Sequence, residues 1–372
     1  MFLKIVWLNL FHCLSLHASR PFLSLMAAQL GANAVEVGLI SAPYSLVQAV
    51  AALPAGRLIA ARGVRPVGLS GGGSFLSGLL LLMQAQNLWV LAVASALMGL
   101  GHVLILLCGQ YVVTAGSDST EKAQAVGWLS FSTSLGSFLG PVLGGAMQHC
   151  WGSRMGFAGG LLSAALGLAC ACCLPGKTAR PSGCPPAASV SIRGGEPWRD
   201  IITSGVIFFS ADILTTYLPL YGRQAGLDTA AVGIIWGVNG LAQMAVRPFM
   251  GRLCARYTMY HVFRLCLLTG GGAIAAIGTT GGFVPLLLAA ALAGCSIGLA
   301  NPLTLLTVSG TKDDALRSRV LALRVMANYA GQTVSPLLFG ALATLAGMRP
   351  VFWVSGGILL LCVTGARGYK RN

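Results

Sequence analysis

The chain contains very few charged residues, and acidic residues are the scarcest of them. Only 9% of its 372 residues are Asp, Glu, Lys or Arg, whereas 55% are hydrophobic. A soluble domain carries about a quarter charged residues, so this chain has too little charge to coat a water-facing surface. Apolar stretches long enough to span hydrocarbon, about 20 residues each, recur along the whole length. The sequence therefore predicts an integral membrane protein without a separate soluble domain.

The sequence also lacks the residue clusters on which several other functions depend. Cys170, Cys172 and Cys173 lie near Cys184, but no His or carboxylate accompanies them to complete a metal site. We interpret most of the eleven cysteines as small hydrophobic residues. No nucleophile stands at a suggestive spacing from a base, and no continuous polar lining suggests a channel. We therefore predict no catalytic residue, no metal and no cofactor.

A repeat with an offset of 195 residues runs through the chain. Residues 56–60 (GRLIA) fall on residues 251–255 (GRLCA), since 251 − 56 = 195. At the same offset Gly136, Pro141 and Gly145 fall on Gly331, Pro336 and Gly340. One register holds from residue 23 to residue 340, which indicates a duplicated unit. Duplicated membrane halves that meet around a central cavity are typical of secondary transporters.

Twelve membrane spans are predicted, and each must be a helix because lipid offers no partner for free backbone groups. The predicted spans are residues 2–26, 35–59, 66–83, 88–114, 126–148, 155–174, 201–221, 229–249, 261–279, 283–307, 320–345 and 351–365. They form an N-terminal six-helix bundle (1–174) and a C-terminal six-helix bundle (199–372), joined by a cytoplasmic linker (175–198) rich in Pro, Gly, Ser and Ala. The first span resembles a signal peptide after Lys4, but a cleaved leader has no reason to repeat at 195.

The placement of basic residues predicts the orientation of the chain. The connections after even-numbered spans and the C-terminal tail are basic. They contain Arg57, Arg62, Arg65, Lys122, Lys177, Arg180, Arg193, Arg199, Arg252, Arg256, Lys312, Arg317, Arg319, Arg367, Lys370 and Arg371. The opposite connections hold only Arg154, Arg223 and Arg349. By the positive-inside rule both termini are cytoplasmic, in a multi-pass protein of the plasma (bacterial inner) membrane. The net charge of +15 then contacts lipid headgroups; because it is scattered over separate loops, no nucleic-acid partner is predicted.

Residues 136–145 have the form GxxxGPxxGG on the predicted fifth span. The pattern consists of Gly136, Gly140, Pro141, Gly144 and Gly145. Glycines four residues apart let helices approach closely, and the proline bends the helix. Small residues at this spacing also occur in ordinary membrane packing, but the ten-residue pattern is more specific. It resembles the fifth-helix motif of exporters in the major facilitator superfamily, which implies two six-helix halves and transport by alternating access.

A second signature, at residues 56–65, resembles the superfamily's loop between helices two and three. It contains Gly56, Arg57, Arg62, Gly63 and Arg65, and Gly251 and Arg252 repeat its start. Ala60 and Ala255 stand where the family places an Asp that latches the inward-closed state, so we expect that latch to be weakened or rebuilt. The membrane arginine of the family's fourth helix is also missing, and Leu97 lies close to its position.

Ionisable groups inside the predicted spans are functional candidates because burying a charge in hydrocarbon is costly. One stripe of the first span carries such groups at helical spacing: Asn9, Cys13, His17, Arg20 and Ser24. The resemblance implies that helices one, four, seven and ten line the cavity. Asp212 falls on His17 in the repeat, since 212 − 17 = 195, so we expect both at matching depths with Arg20 a turn away.

Asp212 is the acidic residue placed deepest in any span, and we predict it to be the proton-coupling carboxylate. A fixed structural pair between Asp212 and Arg20 is the alternative, because buried charges usually pair. His17 is a second protonation candidate, since imidazole titrates near neutrality; a neutral, hydrogen-bonded His17 is equally compatible with the sequence. His102 and His12 are weaker candidates, and Arg20 is also suited to bind an anionic group of a substrate.

Further polar residues are predicted to line the cavity or its entrances. They are Tyr44, Gln48, His102, Gln110, Tyr217, Trp236, Asn239, Gln243, Asn301, Asn328 and Gln332. For each, a hydrogen bond between helices is the alternative role. The Asn301-Pro302 pair is expected to break the tenth helix. Arg324, about a turn inside span eleven, is expected to extend its charge to the cytoplasmic surface.

The sequence thus predicts a monomeric secondary transporter that moves a small organic solute by alternating access. Its partners are the solute, protons and the lipid bilayer. The fifth-span motif favours proton-coupled export by antiport. Uptake by a symporter or uniporter stays open, and so does a non-transporting membrane sensor on the same fold. Nothing in the sequence indicates which solute is carried.

Overall fold

All regular structure in the described part of the chain is helical. The computed structural model describes residues 2–114, 119–174, 196–309 and 314–365. The helices are α1 (Phe2–Gln29), α2 (Ala34–Arg62), α3 (Val64–Gln84), α4 (Leu88–Thr114), α5 (Ser119–Gly156), α6 (Ala158–Cys172), α7 (Glu196–Thr216), α8 (Leu218–Gln224), α9 (Thr229–Val246), α10 (Met250–Arg256), α11 (Met259–Ile277), α12 (Phe283–Ser309), α13 (Asp314–Ala346) and α14 (Met348–Gly365). A single 3-10 turn, Arg247–Phe249, joins α9 to α10.

Every predicted span corresponds to a helix or a broken helix. Within the described residues, seven helical segments are long and apolar enough to cross a membrane. An eighth span results if Gly127–Gly156 and Ala158–Cys172, which meet at a bend of 77°, are counted together. The all-helical membrane class is therefore confirmed, and the set is consistent with twelve spans. Residues 175–195 of the predicted linker lie outside the described residues, so the division into domains stays a prediction.

The 195-residue repeat is visible in where the helices begin. Four pairs of helices start 195 residues apart: Ala34 and Thr229, Val64 and Met259, Leu88 and Phe283, Ser119 and Asp314. The residues that cap the first of these pairs also correspond. The Asn33 side chain accepts the Glu36 N–H, and the Asp228 side chain accepts the Ala231 N–H. Short polar side chains at this position satisfy donors that the first helical turn leaves free, so local chemistry sets both starts.

Glycines in the left-handed region turn the chain just before these caps. Gly31 has φ 85° and Gly226 has φ 83°, a conformation that glycine adopts without the steric cost of a Cβ. The tight turns at Gly31 and Gly226 reverse the chain between α1 and α2 and between α8 and α9. We call this end of the bundle the outer end, because the charge distribution predicts that it faces away from the cytoplasm.

The two repeats meet along α2 with α13 and along α5 with α9. At the outer end these helices touch backbone to backbone, and an added Cβ on four glycines would collide with a carbonyl across the interface. These glycines and the residues they face are Gly38 on Pro336, Gly233 on Pro141, Gly145 on Thr229 and Gly340 on Ala34. Each pair is matched by another 195 residues away, since 233 − 38 = 195 and 340 − 145 = 195. The outer end is therefore closed by two equivalent contacts.

Two expectations about the tenth and eleventh spans are wrong. Helix α12 runs without a break through Asn301 and Pro302. Arg324 is only 6% exposed and does not reach the surface. Its Nη2 donates to the Asn301 carbonyl (3.0 Å), to Asn301 Oδ1 (2.9 Å) and to Thr304 Oγ1 (2.8 Å). The guanidinium thus links α13 to α12 beside the proline.

Candidate functional site

A buried ion pair joins α1 to α7 in the middle of the bundle. Arg20 Nη2 lies 2.7 Å from Asp212 Oδ1, and the side chains are 19% and 2% exposed. Thr216 Oγ1 is 3.4 Å from the other carboxylate oxygen, Asp212 Oδ2. The repeat predicted Asp212 at the depth of His17, one helical turn from Arg20, and the structure brings Asp212 and Arg20 into contact. Because α1 and α7 start the two repeats, the ion pair links one half to the other.

Arg20 also contacts an aromatic ring on α2. Its guanidinium carbon lies 4.1 Å from the centroid of Tyr44, a distance at which a cation is attracted by the ring face. A cavity of about 10 Å³ adjoins these groups, with Ser24, Ser95 and Thr216 among its lining residues. That volume holds about one water molecule. The site is therefore closed around the ion pair, and an organic solute would need the halves to separate.

His17 faces α5 instead of Asp212. Its Nε2 lies 2.9 Å from Ser137 Oγ, and Ser137 in turn donates to the Thr133 carbonyl. Within the described residues no ion pair joins His17 to Asp212. Of the two alternatives left open for His17, the geometry supports a hydrogen-bonded histidine in this conformation.

A pair of histidines, the buried His12 and the partly buried His102, lies on the other side of Tyr44. His12 Nε2 is 2.9 Å from His102 Nδ1, and the His102 ring stacks near Tyr44 at 6.0 Å between centroids. From Asp212 in the second half, the series Arg20, Tyr44, His102 and His12 thus continues into the first half. His12 and His102 were weak candidates from the sequence, because 90 residues separate them and no spacing rule connects α1 to α4.

Several other predicted cavity residues make hydrogen bonds between helices. Asn9 Nδ2 donates to Thr133 Oγ1 (2.9 Å), and the Asn328 amide N–H donates to Ser204 Oγ (2.7 Å). These two bonds are repeat-related, since 204 − 9 = 195 and 328 − 133 = 195. The Tyr217 hydroxyl donates to the Pro336 carbonyl at 2.6 Å. For these residues the geometry supports a packing role.

The remaining predicted cavity residues differ in burial and in hydrogen bonding. Asn239 Nδ2 donates to the Ala290 carbonyl and Gln243 Nε2 donates to Asn239 Oδ1, both at 2.8 Å. Ser45 donates to Gln332 at 3.5 Å. Trp236 packs against the main hydrophobic core, while Gln110 is exposed on α4. Gln48 is buried, and in the described part of the chain its Nε2 has no hydrogen-bond partner.

The fifth-span motif packs α5 against α1. An added Cβ on Gly136, Gly140 or Gly144 would collide with Cys13, with His17 and Leu14, or with Ala18. This close packing fixes the helix that carries His17 and Arg20, whereas Gly145 faces the second half. Pro141 supplies the carbonyl that Gly233 approaches.

The loop signature lies at the opposite, inner end. Its basic residues Arg57, Arg62 and Arg65 are exposed, as are Gly56, Gly251 and Arg252. Gly63 has φ 86° and donates its N–H to the Ile59 carbonyl at 2.8 Å, which ends α2. A positive φ at this position, which glycine adopts without the steric cost of a Cβ, explains the glycine in the signature.

The ion pair gives a prediction about stability. Arg20→Gln is expected to lower the free energy of unfolding by about 3 kcal/mol, because it leaves Asp212 buried without its counter-charge. The double variant with Asp212→Asn should regain most of that loss. Thermal melts in detergent would measure both, with the exposed Arg252→Gln as the matched control. A double variant as unstable as the sum of its single variants would contradict the prediction.

Comparisons with known proteins agree with this geometry. Multidrug resistance protein MdtG of Klebsiella pneumoniae (strain 342) is 25% identical, over 91% of this chain and 86% of that protein. MdtG of Salmonella typhimurium is 24% identical over 91% and 88%. Among solved structures, the peptide transporter POT has a TM-score of 0.83 at 16% identity, covering 99% of this chain and 93% of that one. The nucleoside transporter NupG has a TM-score of 0.79 at 13% identity over the full length of both chains.

At such low identity the solved structures establish the fold alone. The family model described as Major Facilitator Superfamily matches residues 5–315, most of the length of the chain. The match includes both signatures as well as Arg20 and Asp212. The chain is a membrane transporter that belongs to the Major Facilitator Superfamily.

Proposed function

We propose that this transporter exports a small organic solute in exchange for protons. The Arg20–Asp212 ion pair is the observation that carries the proposal, because it is a titratable contact between the two halves. The GxxxGPxxGG motif and the multidrug resistance relatives support export. In this proposal the protein lies in the bacterial inner membrane as a monomer, with both termini cytoplasmic.

Protonation of Asp212 couples proton movement to solute movement, because it weakens the Arg20–Asp212 ion pair. A charged Asp212 attracts Arg20 and holds α1 against α7, whereas a protonated Asp212 loses that attraction. Arg20 is then free to move with Tyr44, and the halves can separate at the outer end. A solute with a positive or hydrogen-bonding group competes with the proton for the same carboxylate. Binding of one therefore favours release of the other, which is the requirement for exchange.

Proton-coupled uptake is the second candidate, because the same ion pair can serve a symporter. The substitution of Ala60 and Ala255 for the family's loop Asp also removes part of the expected latch. The two candidates differ in the sign of proton movement. Antiport moves protons against the direction of the solute, and symport moves them with it.

Proteoliposomes that enclose a pH-sensitive dye test the proposal. We expect external lipophilic cations to enter acid-loaded vesicles and raise the luminal pH, because each solute molecule is exchanged for protons. Insertion in either direction gives the same sign. Protein-free vesicles are the control. A fall in luminal pH would indicate symport, solute entry without a pH change would indicate a uniporter, and failure of a broad solute panel would favour a sensor.

A further inference from the structure

A large cavity opens at the outer end, apart from the water-sized cavity beside Arg20. Its volume is about 820 Å³, and it shares no lining residue with the smaller cavity. Residues from α1 and α5 form one wall, and residues from α8 and α9 form the other. The cavity therefore lies between the two halves where they are closed together.

A buried amide in this cavity has no partner. Gln148 is only 4% exposed and lines the cavity near the end of α5. In the described part of the chain neither its Nε2 nor its Oε1 forms a hydrogen bond. Leaving a buried donor and acceptor unpaired is costly, and native proteins seldom do so. Once its side chain turns towards the cavity, Gln148 can therefore pair with a ligand that both accepts and donates a hydrogen bond.

Two arginines from opposite halves give the cavity a positive charge. Arg154 belongs to the first half and Arg223 to the second, and both line the cavity. Their hydrogen bonds go to backbone carbonyls, Ala85 and Leu227, each at 3.4 Å. No carboxylate lies within 4.0 Å of either guanidinium among the residues that the structure describes. The planar fork of an arginine matches the oxygens of a phosphate or carboxylate.

The cavity is far larger than an inorganic anion, and part of its wall is apolar. Leu25 and Leu220 line it from opposite halves, and Ala28 adds to the first side. Such a site suits a molecule in which an anionic group adjoins a polar and partly apolar body. The outer end lies where a helix bundle meets the membrane surface, so the anion can come from a lipid or from solution.

We propose that this outer cavity binds an organic phosphate, whose charge is held by Arg154 and Arg223 and whose hydroxyl or ester oxygens pair with Gln148. The two sources of that chemistry are the headgroup of an anionic phospholipid and a soluble phosphate ester. Because the ligand contacts both halves, it stabilises the conformation in which the outer end is closed. It thereby regulates the transporter at the end of the bundle where the two halves must separate.

Ligand-induced thermal shifts and dissociation constants, measured on the full chain in maltoside detergent, test the proposal. The probes are short-chain phosphatidylglycerol, short-chain phosphatidylcholine as the zwitterionic control, and glycerol 1-phosphate. We expect an anionic probe to raise the melting temperature. Its dissociation constant should rise about tenfold or more in the double variant Arg154→Gln with Arg223→Gln, because hydrogen bonds to charged groups are lost. Arg349→Gln is the matched control, since Arg349 does not line the cavity.

Gln148→Leu separates a ligand-binding role from a structural one. This variant should weaken binding of the anionic probe without lowering the melting temperature of the unliganded protein, because it removes an unpaired buried amide. Binding of phosphatidylglycerol alone identifies a lipid site, and binding of glycerol 1-phosphate identifies a soluble ligand. The proposal is overturned if neither anionic probe binds more tightly than phosphatidylcholine, or if Arg349→Gln weakens binding as much as the double variant.

Discussion

Asp212→Asn is expected to abolish solute-driven proton movement and to leave the protein folded. The amide keeps the size of the carboxyl group and can still accept a hydrogen bond from Arg20, but it cannot bind or release a proton. The luminal dye signal in proteoliposomes should therefore fall to the level of protein-free vesicles. Exchange of labelled solute for unlabelled solute should persist at higher solute concentrations, because it requires alternating access without net proton transfer, while the solute has lost the charge of its carboxylate partner.

Glu36→Gln is the matched control for this change. Glu36 is a carboxylate in the capping box of α2, where it accepts the Asn33 N–H at 2.8 Å, away from the ion pair. Glutamine serves equally well at this position of a capping box, so the control should transport normally. Normal proton coupling by Asp212→Asn would refute the assignment. Equal loss of proton movement in Asp212→Asn and Glu36→Gln would show that the effect is not specific to the Asp212 carboxylate.

Gly145→Ala is expected to reduce transport about tenfold by preventing closure of the outer end. A Cβ added there would lie 2.5 Å from the Thr229 carbonyl oxygen and 2.9 Å from the Gly233 Cα, and neither backbone atom can rotate away. Overpacking of this kind costs about 1–3 kcal/mol, and about 1.4 kcal/mol corresponds to tenfold in an equilibrium. The rate of solute exchange in proteoliposomes measures the effect.

The repeat provides an internal comparison for this variant. Gly340→Ala introduces the equivalent clash in the other repeat, because an added Cβ would lie 2.6 Å from the Ala34 carbonyl oxygen. It should reduce transport to a similar extent. Gly272→Ala and Gly357→Ala are controls, because nothing lies within 4 Å of a Cβ at either helical position. Full transport activity in a folded Gly145→Ala protein would show that close approach at this point is not required.

Much of the fold could be predicted because its signals are local or periodic. Apolar length indicated the helices, and the 195-residue offset indicated two equivalent halves. The turn at Gly31 and the cap at Asn33 depend on side chains within a few residues. The break between α7 and α8 at Tyr217 was not predicted, although its signal is local: Pro219 in the first turn of α8 has no N–H with which to continue α7. The supposed break at Asn301 was wrong, because α12 stays helical through Pro302.

The candidate site was only partly accessible from the sequence. The repeat placed Asp212 near Arg20, since both lie on stripes of equivalent helices. The stacking of Arg20 on Tyr44 and the pairing of His12 with His102 depend on how helices rotate against one another. No spacing within one helix encodes that rotation. Gln148 was not predicted as a site residue, because only the folded chain shows that its buried amide lacks a hydrogen-bond partner among the described residues.

The outer-end turns have a consequence for how the chain enters the membrane. Each joins two apolar helices through a few residues that include both a left-handed glycine and a capping side chain, Gly31 with Asn33 and Gly226 with Asp228. The residues that reverse the chain are thus all present as soon as the turn leaves the ribosome. Each hairpin can insert as a finished unit, before the helices that will later pack against it have been synthesised.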